Sequence, residues 1–131
     1  MSRARVLLAD DHSVMRDRVG VLLNPSFEVV GAVPNGQEMI SAGIHLDPDV
    51  IVADITMPGL SGIEAAQQLR EAGCRAKFVF LTIHSEHEFV DACVSQGALG
   101  YVLKSHMKTD LIPAIKAALM GRKFISPLVS R

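Results

Sequence analysis

The chain has 131 residues, 49% of them hydrophobic and 21% charged, with 13 Lys and Arg against 14 Asp and Glu and a net charge of −1. That composition describes one domain with a real core and excludes a disordered segment. It also excludes a membrane span, which needs about 20 consecutive apolar residues, and a basic nucleic-acid-binding stripe, since the cations are scattered.

Arg5-Val6-Leu7-Leu8-Ala9 is a short apolar run ending on Asp10-Asp11 and reads as a first strand. The leader before it lacks the apolar stretch and small-residue cleavage site of a secretory signal, and a reducing cytoplasm is the expected location. From Ser13 to Leu23, Met15, Val19, Leu22 and Leu23 recur as one helix face, broken by Asn24-Pro25-Ser26. Phe27 to Val33 is the second strand. Asn35 with Glu38 three residues on is a capping pattern that opens a helix to about Leu46.

Val50-Ile51-Val52-Ala53-Asp54 is an unbroken apolar run that meets a carboxylate and then a turn, Met57-Pro58-Gly59. Such a run predicts a central strand buried on both faces. Ser61 and Glu64 cap a third helix with Ile63, Ala66 and Leu69 inward, ended by Gly73. Lys77 to Thr82 is a fourth strand. Ser85 precedes Glu88 in another capping pattern, and Val90, Cys93, Val94 and Gly97 keep helical spacing for a fourth helix. Cys93 reads as a small buried thiol. With Cys74 it forms neither a disulfide framework nor a zinc pattern. Gly100 to Lys104 is a fifth strand. Thr109 to Met120 is a fifth helix, with Leu111, Ile115, Ala118 and Leu119 inward and Pro113 tolerated near its first turn.

Five strands alternating with five helices predict an α/β fold, a parallel five-stranded sheet covered on both faces. All strand ends that carry chemistry then share one edge: Asp10 and Asp11, Asp54, Thr82 and Lys104. If the first and third strands are neighbours, as in the 2-1-3-4-5 order of flavodoxin-like folds, the three carboxylates crowd together. Two charges about 5 Å apart repel by roughly 3 kcal/mol at an effective dielectric near 20. A cation is therefore expected, and an all-oxygen donor set favours Mg²⁺. With Lys104 and Thr82 beside it, the site suits capture of a phosphoryl group by in-line attack of Asp54. Each residue also has an ordinary reading: Asp10 or Asp11 as a helix cap, Asp54 as a turn former, Thr82 and Lys104 as plain strand ends.

Asp10-Asp11, Asp54 followed by Met57-Pro58-Gly59 and Gly62, Thr82 and Lys104 together resemble the receiver domain of bacterial two-component response regulators. Leu81 to Glu86 and Gly100 to Lys104 are similar to the NarL/FixJ-type subfamily, in which a LuxR-type helix-turn-helix domain follows the receiver. The resemblance implies a flavodoxin-like (βα)5 three-layer sandwich, with a receiver domain over residues 1–121. Residues 122–131 would begin a linker toward an output domain absent from this chain.

The resemblance further implies Asp54 as phosphoacceptor. Asp11, Asp54 and the Thr56 backbone carbonyl would bind Mg²⁺, with Asp10 acting through water. Thr82 and Lys104 would hold the phosphoryl group, and Tyr101 would turn inward as the α4-β5-α5 surface switches. Thr56 and His84 would border the phosphoryl group and set its lifetime. The implied partners are a sensor histidine kinase and, after phosphorylation, a second copy. DNA would be met only through the output domain, and no membrane is implied. The implied chemistry is self-phosphorylation with slow autodephosphorylation, not enzymatic turnover.

Three other classes fit less well. Haloacid-dehalogenase-type phosphatases resemble Asp-x-Asp at the nucleophile, where this chain has Thr56. A dinucleotide site would need a glycine-rich first turn in place of Ala9-Asp10-Asp11-His12-Ser13. A pseudo-receiver would not need the full set of acids, hydroxyl and lysine. His84 and His87 stand one turn apart but lack a third metal ligand. Ser105 follows Lys104 where many receivers have proline, which leaves the isomer of that peptide bond open.

Overall fold

A computed structural model describes residues 3–84 and 87–127. In chain order the elements are β1 (Arg5–Ala9), α1 (Ser13–Leu23), β2 (Glu28–Val33), α2 (Gly36–Leu46), β3 (Val50–Ala53), α3 (Gly62–Glu71), β4 (Lys77–Thr82), α4 (His87–Ser95), β5 (Gly100–Leu103), α5 (Met107–Leu119) and β6 (Phe124–Ile125), with a 3-10 turn, Lys104–His106, before α5. The sheet is parallel throughout, in the order β2-β1-β3-β4-β5-β6. The expected five-strand order holds, and a sixth short strand is added beside β5.

Successive strand residues point to opposite faces, and the core divides accordingly. Leu7, Ile51, Phe78, Phe80 and Tyr101 pack with Met39, Leu69, Val90 and Cys93 of α2, α3 and α4. Val6, Val50, Val52, Val79 and Val102 pack with Val19 and Leu23 of α1 and with Leu111 and Ile115 of α5. Three layers result. Burial pushes the Cys93 thiol up to about 12, so it remains a neutral apolar filler.

Local capping signals account for the starts of α2 and α3. Asn35 accepts from the Glu38 amide at 2.9 Å and donates to its carboxylate at 2.9 Å. Ser61 and Glu64 make the reciprocal capping box, both bonds 3.1 Å. The Ser85 capping pattern lies outside the described residues.

Several boundaries differ from the sequence reading. Phe27 precedes β2 and fills the α1/α5 side of the core. Asp54 lies just past β3. Gly97 follows α4 at φ +83, a left-handed position that glycine occupies without a Cβ penalty. In α3 it is Ala65 that is fully buried with Ala66 and Leu69, while Ile63 is only partly covered. The α5 helix begins at Met107, so Pro113 sits well inside it and not near its first turn. Pro113 and Thr109 are both exposed, which places the carbonyl that loses its helical partner on the solvent side. Leu119 is 39% exposed, not inward; as the last residue of α5 it borders a surface hollow with Asp47, Arg75 and Lys77. No peptide bond among the described residues is cis, so Lys104–Ser105 is trans.

Candidate functional site

Parallel strands deliver their ends to one rim. Ala9 of β1 pairs with Ala53 of β3, so the residues that follow, Asp10 and Asp54, emerge side by side. Ala53 pairs with Phe80 of β4, and Thr82 pairs with Leu103 of β5, which brings Thr82 and Lys104 to the same rim. The Asp54 amide donates to the Ala9 carbonyl at 2.9 Å, fixing the two acids in register.

The Lys104 ammonium lies 3.0 Å from Asp10 Oδ2 and 3.0 Å from Asp54 Oδ2. All three side chains are nearly buried, with 7% to 9% of their surface exposed. Burial raises the Asp54 pKa against the pull of the Lys104 bond and charge, and the Asp10 charge adds to the rise. At Lys104 burial acts downward, but bonds and charges from both carboxylates outweigh it and hold the ammonium above its ordinary value. The asymmetry is physical: one cation serves two acids, so the cation is over-compensated and Asp54 is not.

Asp11 supplies the third carboxylate. Its Oδ1 is buried and has no hydrogen-bond partner; His12 Nδ1 stands 3.2 Å away without bonding to it. Asp10, Asp11, His12 and Asp54 each offer a ligand atom within 4.8 Å of the others. A buried, unsatisfied carboxylate oxygen costs free energy that a bound cation would recover, so the residues present fit a divalent ion. Three carboxylates match the hard, oxygen-preferring ions, Mg²⁺ among them.

The opposite wall is built from β4 and its exit. Thr82 is fully buried and its Oγ1 accepts from the His84 amide at 3.1 Å. Thr56 Oγ1 and His84 Nε2 share a hydrogen bond of 3.1 Å, and the imidazole stacks on Phe89 at 4.1 Å and 11°. Thr56 also donates its amide to Asp54 Oδ1 at 3.4 Å. Tyr101 is 1% exposed and points inward, its hydroxyl donating to the His84 carbonyl at 2.7 Å.

The structure thus gathers Asp10, Asp11, Asp54, Thr56, Thr82, His84 and Lys104 at one rim, with Tyr101 behind His84. Sequence reasoning missed three residues there. His12 follows the acid pair directly, so its proximity was open to inspection. Arg16, whose Nη1 donates to the Asp10 carbonyl at 2.7 Å, is one helical turn beyond it. Phe89 left no signal, since a ring stacking on a loop imidazole follows from tertiary placement alone.

The sequence pattern of the response regulator receiver domain family matches residues 6–116. The chain is 36% identical over 125 residues to the nitrate/nitrite response regulator protein NarL of Escherichia coli K12, covering 94% of this chain and 58% of that protein. It therefore spans little more than half the length of that relative. Among solved structures it is similar to a LuxR-family two-component response regulator from Aurantimonas sp. SI85-9A1, with a TM-score of 0.92, 35% identity and coverage of 98% and 93% of the two chains. It is also similar to the isolated receiver domain of RcsB from Salmonella enterica serovar Typhimurium, in the presence of the phosphomimetic BeF3−. That match has a TM-score of 0.89, 27% identity and coverage of 99% and 98%.

Proposed function

The chain belongs to the response regulator receiver domain family, and from that premise we propose that it accepts a phosphoryl group on Asp54 and answers by reshaping the surface of α4, β5 and α5. The observation that carries this reading is the Lys104 ammonium seated between Asp10 and Asp54 at 3.0 Å from each, beside an unpartnered Asp11 oxygen.

Asp10, Asp11 and Asp54, with the Thr56 carbonyl, would hold Mg²⁺, which when bound supplies positive charge for the phosphoryl oxygens. Burial makes the Asp54 carboxylate more basic than a surface aspartate and so a better nucleophile. Its oxygen forms the new bond to phosphorus while the donor's P–N or P–O bond breaks and the leaving group takes the electron pair. Lys104 pairs with the phosphoryl charge. Thr82, which accepts a bond from His84, still has its own O–H to donate to a phosphoryl oxygen. Tyr101 lies inward beneath His84, so movement of Thr82 is transmitted to β5 and its flanking helices.

We further propose a sensor histidine kinase as donor, a homodimer as the phosphorylated state, and DNA contact only through a C-terminal helix-turn-helix domain. The cytoplasm would be the site of action. No helix among the described residues is long and apolar enough to cross a membrane. Residues 1–121 would form the receiver and 122–131 the start of the connection onward. Steady turnover of small phosphates is not part of this reading, because Thr56 stands where an Asp-x-Asp phosphatase carries its second acid.

The test is intact mass after incubation with acetyl phosphate and Mg²⁺. The wild-type chain is expected to gain one phosphoryl group and Asp54→Asn none. Equal labelling of both would move the acceptor elsewhere and end the proposal.

Thr56 joins His84 to the acceptor, its amide donating to Asp54 Oδ1 and its hydroxyl bonding His84 Nε2, and we propose that this pair screens the approach to Asp54 from water. Either Thr56→Ala or His84→Ala opens that approach to water and is expected to shorten the phosphoryl lifetime about fivefold, the worth of one hydrogen bond. Decay of the phosphorylated mass reads this directly; lifetimes equal to wild type would exclude a role for the pair.

A further inference from the structure

Outside the phosphoryl-acceptor site, one buried polar cluster stands out. Asp110 in the first turn of α5 is 9% exposed, and Ser126, beyond β6, is 2% exposed. Ser126 Oγ donates to Asp110 Oδ2 at 2.8 Å and accepts from the Leu103 amide at 3.1 Å. The Ser126 amide donates to the Tyr101 carbonyl at 2.9 Å. Thr109 Oγ1 donates to the other oxygen of Asp110 at 3.0 Å.

Two of the partners in this cluster belong to β5, the strand that presents Lys104. Leu103 is the last residue of β5 and the immediate neighbour of Lys104. Tyr101 belongs to the same strand. A single hydroxyl from the C-terminal segment therefore holds the end of β5 at the point where the chain turns to present the ammonium. A buried bond of this kind is stiff, because its members lose the full solvation of their polar groups if it opens.

Building on the Asp54 reading above, we propose that Ser126, held by Asp110, is a positioning residue for Lys104. It fixes the Leu103 amide and so keeps the ammonium on the acceptor carboxylate. The C-terminal segment and the acceptor site are thereby coupled. When the segment is docked the lysine is set for phosphoryl capture, and by reciprocity a phosphoryl group that draws Lys104 forward bears on the segment's docking.

The experiment is a double-mutant cycle on phosphoryl uptake from acetyl phosphate with Mg²⁺, followed by intact mass, with circular dichroism to confirm folding. Ser126→Ala is expected to slow uptake about fivefold in the wild-type background. It should cause no further slowing in Lys104→Ala, because its effect passes through that side chain. Faster amide exchange at Leu103 and Lys104 should accompany it in the unphosphorylated chain. Asp110→Asn preserves shape while weakening the bond to Ser126; it should reproduce the pattern and serves if Ser126→Ala does not fold. Unchanged uptake in these variants, or equal slowing with and without Lys104, would overturn the coupling while leaving Asp54 as acceptor. Absence of uptake in the wild type is distinct: it would remove the acceptor reading, and the positioning role with it.

Discussion

Lys104→Ala is expected to slow phosphoryl uptake about 100-fold, the usual consequence of losing a preorganised charge at a developing anion. It should also lower stability at neutral pH by about 3 kcal/mol, since breaking a buried pair leaves the acids facing each other uncompensated. The sign with pH follows from the two shifts. Lys104 is raised in the folded chain, so its contribution is fully present below its unfolded value of 10.5 and lost as pH rises through the folded one. Asp54 is also raised, so the stability it contributes is fully present below 3.8 and lost as pH rises through its folded value. Removing Lys104 takes away the two largest downward influences on Asp54 and leaves burial and Asp10, both upward, opposed only by the Thr56 amide bond. Thermal melts of the variant should therefore show stability falling over a wider span between acid and neutral pH than in wild type. Mg²⁺ should raise the variant's Tm by more than it raises the wild type's, because the cation no longer competes with the ammonium. A variant as stable as wild type at neutral pH and indifferent to Mg²⁺ would contradict this account.

Gly62→Ala should be the most damaging single methyl group near the site. A Cβ there would collide with the Asp54 carbonyl oxygen and stand 3.0 Å from its carbon, with the Ile55 Cα at 3.4 Å. These are backbone atoms and cannot rotate away. The Gly62 amide also donates to the Ile55 carbonyl at 2.8 Å, so α3 and the segment after β3 are already drawn together. Relief requires moving the backbone that carries Asp54, the proposed acceptor. The expected loss is about 3 kcal/mol, toward the upper end for overpacking. For a chain of this size that lowers Tm by roughly 10 °C. The folded fraction should still fail to take up phosphate, because Asp54 is displaced from Lys104. Gly59→Ala is the control: nothing lies within 4 Å of its Cβ, and only its φ of +75 is at stake. It should cost about 1 kcal/mol and leave uptake near normal. Equal melting temperatures for the two variants would show that crowding at Gly62 is relieved more easily than the geometry implies.

Much of this architecture was legible in the residues because local and global signals agree. Val50-Ile51-Val52 can be little other than a strand covered on both faces, and Asn35–Glu38 and Ser61–Glu64 announce helix starts through bonds that then form. Parallel topology carries strand-end residues to one rim, which is why Asp10, Asp54, Thr82 and Lys104 could be grouped without coordinates. Phe124–Ile125 was beyond such reasoning, for two residues show no alternation and their pairing with Gly100 and Tyr101 is a long-range fact. The early start of α5 was hidden by Pro113, which drew the expected beginning toward itself. Thr56 and His84 were each placed near the site, but their bond spans 28 positions and depends on how two loops meet. The Asp110–Ser126 contact is similarly non-local.

The sixth strand bears on self-association. Without Phe124 and Ile125, the outer side of β5 would bare a row of amide and carbonyl groups from a strand whose four residues are all buried. Such a margin is a template for pairing with another chain. A fragment trimmed back to Gly121 would thus expose β5, in place of the two-residue β6, as the sheet margin opposite β2. Its solubility, and any oligomer it formed, would reflect the trimming and not the intact fold.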